Sequence, residues 1–205
     1  MHGRFGVKLP RTETKILSED WDGRNISGQT HERVAFTDVN MTEVENTGAV
    51  FSECVFRTVR FNASTHTNAA FVNCAFLGCS FFDSRFTGCK FMGSLFDRCS
   101  FDIMQVSGGD WTLVSLLGAD LRSASFSELR MREADLTGAN CQGASFRDVD
   151  LSNAWFRTAN LADCDLRGSN VSSIDPRTTE MRGTIVTFEQ AVAIAAGLGL
   201  DIRSD

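Results

Sequence analysis

The chain has 205 residues, 42% of them hydrophobic, and a formal net charge of −6 at pH 7. This hydrophobic content is enough to bury a core, so the composition excludes global disorder. The whole negative excess lies in the second half, since residues 101–205 hold 15 acids and 9 bases while residues 1–100 hold 11 of each. A negative chain is a poor candidate for binding nucleic acid, which is held by neutralising phosphates.

The sequence also argues against export and membrane insertion. Its first 30 residues contain no apolar run flanked by basic residues, and no segment approaches 18 consecutive apolar residues. Seven cysteines are an odd number, and a chain without secretory features has little use for a disulfide framework. We therefore expect a reduced, cytoplasmic protein that does not enter a membrane.

The pattern of the chain changes twice. Residues 1–19 lack any periodicity and are predicted to form an irregular N-terminal segment. Residues 20–185 form the predicted repeat domain, and residues 186–205 a C-terminal helix and dimerisation tail.

The repeat domain carries a large apolar residue every five positions. Of the 17 phenylalanines, 14 share this phase, from Phe36 to Phe156. A small residue precedes each of these centres by two positions, since 25 of the 28 such positions from Val34 to Ser169 are Ala, Cys, Ser or Val. A period of five matches neither a helix nor an uninterrupted strand, but it suits short extended segments joined by tight corners. The pattern therefore predicts a solenoid in which stacked coils supply the core.

These repeats resemble the pentapeptide-repeat family, whose coils are right-handed and four-sided, with four pentapeptides per turn. The resemblance implies an all-β solenoid, a right-handed quadrilateral β-helix of pentapeptide repeats with a short C-terminal α-helix. Residues 20 apart then stack in adjacent coils, and at ~4.8 Å per coil the rod is about 40 Å long. Met104 stands where a small residue is usual, which predicts an irregular coil or kink over Ile103–Gly109.

The tail has helical spacing. Thr187 and Gln190 form a predicted capping box, and Gly197 or Gly199 is expected to end the helix. Such a helix closes the end of the rod, where an open β edge would invite uncontrolled stacking. Its apolar residues exceed what a lid needs, which predicts a homodimer. The predicted interface consists of Phe188, Val192, Ala195, Leu198 and Leu200.

Cysteines and histidines inside the predicted rod are the first candidates for chemistry. His66 and Asn46 are centres 20 positions apart, and we interpret them as a buried polar pair because no third ligand shares their face. His31 lies in the weak first coil and is expected to be partly exposed. Stacked cysteines leave a disulfide or a metal conceivable, but we interpret them as small buried fillers. These are Cys54, Cys74, Cys79, Cys89, Cys99 and Cys164 at small positions and Cys141 at a centre.

Acids of the second half are the candidate binding surface. Most of them directly precede a centre, on positions predicted to face outward, and arginines after the centres are expected to pair with many. An acid–base pair needs a concave, desolvated site, which a convex rod does not offer, and no phosphate-cradling loop, nucleophile elbow or metal signature is present. We therefore expect no enzyme, no cofactor and no metal. The predicted surface consists of Asp110, Asp120, Asp135, Asp150, Asp163 and Asp165.

Within the family, the chain is most similar to mycobacterial-type quinolone-resistance proteins that bind DNA gyrase. The unbroken phase, the mid-rod segment FDIMQVSGGDWTLVSLLGADLR and the C-terminal VTFEQAVAIAAGLGL carry this resemblance. It implies a DNA mimic, joined at its C-terminal ends, that binds gyrase or topoisomerase IV and protects it from quinolones or natural gyrase poisons. Dimerisation would place both acidic halves at the middle, where a phosphate-binding saddle would attract them. The alternative is a scaffold that binds an unrelated protein partner.

Overall fold

The computed structural model describes residues 9–203 and shows the predicted right-handed quadrilateral β-helix. Each strand pairs in parallel with the strand one coil further on. The register joins Phe36 to Phe56 and Phe56 to Phe76, so one coil takes 20 residues. The predicted stacking of residues 20 apart is therefore confirmed.

Short strands build three faces of the rod, and isolated bridges build the fourth. The elements are β1 (Thr14–Leu17), β2 (Thr30–Glu32), β3 (Val34–Thr37), β4 (Glu45–Thr47), β5 (Val50–Ser52), β6 (Val55–Arg57), β7 (Thr65–Thr67), β8 (Ala70–Val72), β9 (Ala75–Leu77), β10 (Arg85–Thr87), β11 (Leu95–Asp97), β12 (Gln105–Ser107), β13 (Ser125–Ser127), β14 (Ser145–Arg147) and α1 (Phe188–Gly197). The sheets run β1-β3-β6-β9-β11, β14-β13-β12-β10-β7-β4 and β2-β5-β8. Over residues 9–203 no helix combines the length and apolar character needed to cross a bilayer.

Left-handed backbone makes the corners. All 19 non-glycine residues with positive φ fall two positions after a centre, with φ between 50° and 60°. This conformation costs an L-residue roughly 1–2 kcal/mol and favours Gly, Asn and Asp. The glycines and short polar residues at this repeat position therefore mark where the chain turns.

Phenylalanine rings fill the first half of the interior. Phe36, Phe56 and Phe76 stack face to face, with centroids 4.8 Å apart at each step. Rings on neighbouring faces meet edge to face instead, as Phe56 and Phe61 do at 5.6 Å. Each aromatic pair adds about 0.5–1.5 kcal/mol beyond its area burial, so the column resists bending and leaves no internal space.

The small position before each centre also serves the backbone. The Ser94 hydroxyl donates to the Phe71 carbonyl at 2.8 Å and accepts the Cys74 N–H at 2.9 Å. It thus pairs two buried groups of the preceding coil that have no ladder partner. Ser84 differs, because the Phe81 carbonyl to which its hydroxyl donates also accepts the Ser84 N–H.

We expect Ser94→Ala to destabilise the fold by about 1–3 kcal/mol, because it leaves a buried carbonyl and a buried N–H unpaired. Ser84→Ala removes the same atom from an equally buried site, but its carbonyl keeps a backbone partner, so its cost is smaller. Urea unfolding of both variants measures the difference. Equal losses of unfolding free energy would contradict the bridging role of Ser94.

The N-terminal boundary of the repeats was predicted wrongly. β1 lies within the segment predicted to be irregular, and it pairs with β3 in the same register as later coils. Ile16 falls on the five-residue period and pairs with Phe36 of the next coil. The residue five positions before it is Arg11, which is charged, so the sequence showed no apolar period in this segment. Before it, Leu9 packs on Val55 and its neighbours outside the rod. Residues 1–8 lie outside the described part of the chain.

The predicted kink at Ile103–Gly109 is also wrong. β12 pairs with both β10 and β13 in the common register, and Met104 is fully buried. The centre that follows is Val106, so a large side chain at the small position is balanced by a small one at the centre. The backbone of this stretch departs from the repeat geometry at Gly109, which has a φ of 99°. A Cβ at this position would lie 2.0 Å from the Cys89 carbonyl oxygen.

Helix α1 closes the C-terminal end as predicted. Its capping box is present, with the Gln190 N–H donating to Thr187 Oγ1 and the Thr187 N–H donating to Gln190 Oε1. Gln190 Nε2 also donates to the Leu166 and Ser169 carbonyls, both at 2.7 Å. One side chain therefore starts the helix and pairs backbone carbonyls of the last coils. The helix ends at Gly197, and the following Gly199 takes the left-handed conformation of a Schellman motif.

Candidate functional site

The six predicted surface acids lie on different sides of the rod. Asp110 and Asp150 share one face, since both bridge to Arg130 between them. Asp120 stacks on Asn140 in a second column, and Asp163 occupies the corner that follows that face. The remaining two, Asp135 and Asp165, belong to two further columns, as their separate bridge partners show. The structure does not bring the six together into one surface.

Asp110 and Asp150 belong to a column of alternating charge. Consecutive bridges join Lys90 to Asp110, Asp110 to Arg130, and Arg130 to Asp150. The Arg130 guanidinium is 3.6 Å from the Asp110 carboxylate, and Arg132 approaches Asp150 to 2.5 Å. This face therefore neutralises its own charge along the stack.

Two more of the acids are paired with arginine. Asp120 accepts from Arg122 at 2.6 Å, and Asp165 from Arg167 at 2.7 Å. These hydrogen bonds lower the pKa of Asp120 and of Asp165. The pKa of Asp150 is lowered first by the Ser152 hydroxyl and then by its arginine. All three carboxylates are thus held in the ionised state but are not available as free negative charge.

The position before a centre has a backbone role that the sequence did not reveal. Asp110 Oδ1 accepts the Thr112 N–H at 3.0 Å, and Asp135 Oδ1 accepts the Thr137 N–H at the same distance. Asp165 does the same for the residue two positions on. A short carboxylate or amide here pairs an N–H that lies outside the ladder, as in an Asx turn. Aspartates at this spacing are therefore explained by the fold alone.

Corner acids of the second half are the exposed charges that the sequence reasoning missed. They are Glu128, Glu133 and Asp148, which join the predicted Asp163. All four are exposed, have positive φ, and form no ion pair within residues 9–203. Asp163 also lies over Gly183, where a Cβ would meet its Oδ1 at 2.2 Å. The shared left-handed φ is the signal that identifies them, because it turns the side chain outward from the rod.

The predicted interface residues lie around the free side of α1. Phe188 is 80% exposed and Leu200 is 59% exposed, while Val192 and Ala195 are half-buried. Leu198 is 49% exposed and forms the C-cap. The helix contacts the rod through Gln190 and Ile194, which leaves Phe188, Leu198 and Leu200 exposed and Val192 and Ala195 partly covered.

His66 is buried in a complete hydrogen-bond network, as the sequence predicted. Its Nδ1 lies 3.0 Å from Asn46 Nδ2, and its Nε2 lies 3.0 Å from Ser64 Oγ. The Ser64 hydroxyl donates to the Phe61 carbonyl, so it accepts from Nε2–H, and Nδ1 accepts from Asn46. The ring also stacks on Phe86 at 4.7 Å. The neutral imidazole therefore satisfies every partner, and burial lowers its pKa to about 3.

This network predicts acid sensitivity. The unfolded chain protonates its histidine near pH 6.5 and the folded chain only near pH 3, so stability is full above pH 6.5 and falls as the pH drops toward 3. We expect a loss of about 2 kcal/mol from this residue between pH 7 and pH 5. Urea midpoints of wild type and of the double variant His66→Phe, Asn46→Leu measure it.

The double variant should lose less stability on acidification than the wild type. His31→Gln is the control, since His31 is only half-buried and has a pKa that burial lowers less strongly. Identical pH profiles for wild type and double variant would contradict the assignment.

The cysteines fill small spaces in the rod, and Cys54, Cys74, Cys79, Cys89 and Cys99 also donate hydrogen bonds to backbone carbonyls. All seven are free thiols, and all but Cys99 are buried. Cys89 Sγ lies 3.3 Å from the His66 carbonyl oxygen, and burial raises the pKa of this thiol to about 11. Within residues 9–203 no three His, Cys, Asp or Glu side chains converge in a way that suits a metal ion.

The geometry defines a filled parallel solenoid that presents only its outer surface and its capped end. A family profile described as "Pentapeptide repeat region" matches residues 79–156. This match covers 78 of the 205 residues, which form a pentapeptide-repeat region within the longer solenoid. No curated protein matches its sequence.

Solved structures agree with this fold. Two trypsin-treated variants of QnrB1, a plasmid-mediated fluoroquinolone resistance protein, superpose with TM-scores of 0.55 and 0.52 at 20% and 17% identity. The first match covers 94% of this chain and 99% of that one, the second 95% and 98%. HetL, a pentapeptide repeat protein involved in heterocyst differentiation regulation from the cyanobacterium Nostoc sp., gives 0.47 at 17% identity over 86% of this chain and 85% of its own.

Proposed function

We propose that this protein is a non-enzymatic rod that binds DNA gyrase or topoisomerase IV as a DNA mimic and protects it from quinolones or natural gyrase poisons. The observation that carries the proposal is that the four exposed corner acids of the second half, which form no ion pair within residues 9–203, stand on the half of the chain that carries the net negative charge. A preorganised surface of this kind binds without the entropic cost of ordering loops. Similarity to QnrB1, a fluoroquinolone resistance protein, supports a role in quinolone protection. The resemblance of the sequence to gyrase-binding proteins of the mycobacterial type supports gyrase as the partner.

Charge placement agrees with this function. The first half of the chain is neutral and the second half carries the net −6. Asp110, Asp120, Asp150 and Asp165 are compensated by arginine, so the corner acids supply most of the field that a phosphate-binding surface would meet. The proposal therefore keeps Asp163 of the predicted acids and adds Glu128, Glu133 and Asp148, which the sequence did not suggest.

Neutralising the four corner acids should weaken gyrase binding by about tenfold or more at low salt, because charge complementarity is lost. The variant combines Glu128→Gln, Glu133→Gln, Asp148→Asn and Asp163→Asn. Its affinity for purified gyrase is measured by interferometry, and protection by supercoiling with and without a quinolone. The difference from wild type should shrink at 0.15 M salt, where the Debye length is about 8 Å.

The matched control is Glu43→Gln with Glu53→Gln, since both residues occupy the same corner position in the first half. We expect these changes to alter binding little. Equal losses from the two sets, or gyrase that ignores the wild-type protein at low salt, would contradict the proposed function.

We also propose that the functional unit is a homodimer joined through the tail. The exposed residues Phe188, Leu198 and Leu200 supply an apolar surface that the chain itself leaves uncovered. A two-fold contact there would bring the two acidic halves together.

Charge within this apolar contact should abolish dimerisation, because a desolvated unpaired carboxylate is strongly unfavourable. We expect light scattering to show a dimer for wild type at micromolar concentration and a monomer for Phe188→Asp with Leu200→Asp. The control is Phe82→Asp, which changes an exposed phenylalanine in the rod and should remain dimeric. A monomeric wild type would rule out the contact.

One observation favours the scaffold alternative. Ile103 and Leu113 occupy left-handed corners, and their side chains are 45% and 57% exposed. A large apolar side chain is disfavoured there by strain and by exposure, which points to a binding role. Phe82 and Met92, also exposed, are one coil earlier on the same two faces. The double variant Ile103→Asn, Leu113→Asn tests this alternative. If it weakens a complex whose affinity is unchanged in the corner-acid variant, the partner recognises the apolar corners.

A further inference from the structure

The last coil contains a break in the backbone ladder. Leu136 N–H donates to the Trp155 carbonyl at 2.8 Å, but one coil later no backbone bond joins Phe156 N–H to Asp175 within the described residues. The Asp175 carbonyl accepts the Thr178 N–H at 3.1 Å instead. Pro176 stands at the centre position of this repeat, and a sequence of Asp then Pro favours a β-turn that leaves the ladder.

This turn opens a cavity of about 370 Å³ on the face of the rod. Trp155, Arg157 and Thr137 line one side, and Asp175 and Thr178 line the other. The volume is within the range of small-molecule sites. It is large enough for one planar ring with a polar substituent.

The indole at the cavity is unusual among the tryptophans of the chain. Trp155 is 62% exposed, whereas Trp21 and Trp111 are 6% and 0% exposed. A tryptophan that contributes nothing to the core and borders a cavity offers a flat surface on which an aromatic ring can stack.

The charge of the cavity favours an anion. The Asp175 carboxylate is neutralised by Arg177, whose Nε and Nη2 lie 2.9 and 3.1 Å from its oxygens. Arg157 forms no ion pair within residues 9–203, so its guanidinium is the cation of the lining that has no carboxylate partner there. A planar guanidinium pairs a carboxylate through two parallel hydrogen bonds. Phe156 also lines the cavity, and its N–H, for which the described residues provide no backbone partner, adds a second donor.

We propose that this cavity binds a small aromatic carboxylate. Trp155 stacks on the ring, and Arg157 and the Phe156 N–H bind the carboxylate. The site is independent of gyrase and lies outside the corner acids and the tail.

Binding is tested on the full chain with 4-fluorobenzoate as the probe. Its fluorine resonance and the Trp155 indole N–H resonance should both shift saturably, because the ring stacks on this indole. The uncharged 4-fluorobenzamide should bind about tenfold more weakly or worse, since it cannot form the charge-assisted pair.

The matched variants are Arg157→Gln and Arg147→Gln, which change arginines at the same repeat position on different faces. We expect the first to weaken 4-fluorobenzoate binding by about tenfold and the second to leave it unchanged. Equal binding of the acid and the amide, an unaffected Arg157→Gln, or no saturable shift of the Trp155 indole would overturn the proposal. The comparison of acid with amide uses the wild-type protein and does not depend on a variant that folds.

Discussion

Stacking of each coil on the next at a fixed 20-residue register is the constraint on which the rest of the structure depends. A single pentapeptide cannot bury its own centre, so the rings stack from coil to coil, as Phe61 does on Phe81 at 4.9 Å and Phe76 on Phe96 at 4.7 Å. The same register aligns most corners, because residues of positive φ recur at 20-residue intervals, as Asp38 and Thr58 do. Core, corners and surface columns are therefore consequences of one repeat distance.

This register also decides which charges reach a partner. Aspartates before a centre are drawn into turns and arginine pairs, as Asp150 is by Ser152 and Arg132. The four corner acids of the second half, such as Glu128, form no ion pair within the described chain, and they are exposed to water. The surface that a binding partner meets is therefore set by backbone geometry more than by the total charge of the chain.

The periodic part of the fold could be predicted from sequence, while the site could be predicted only in part. Phe centres and the His66 pair followed from spacing alone. The acids did not, because residues share a face only when multiples of 20 separate them, as 40 residues separate Asp110 from Asp150. The opening at Trp155 was not predicted either, since it depends on a turn at Pro176 that competes with the ladder for a single carbonyl. Local deviations of this kind leave the five-residue period unbroken.

The central claim is that this rod occupies the surface on which gyrase binds DNA. The most direct test is the fluorescence anisotropy of a labelled duplex bound to gyrase, titrated with the wild-type protein at low salt. The account predicts that the anisotropy falls to the value of free duplex as the rod displaces it. Anisotropy that stays constant or rises, as a ternary complex of gyrase, duplex and rod would give, would contradict the claim.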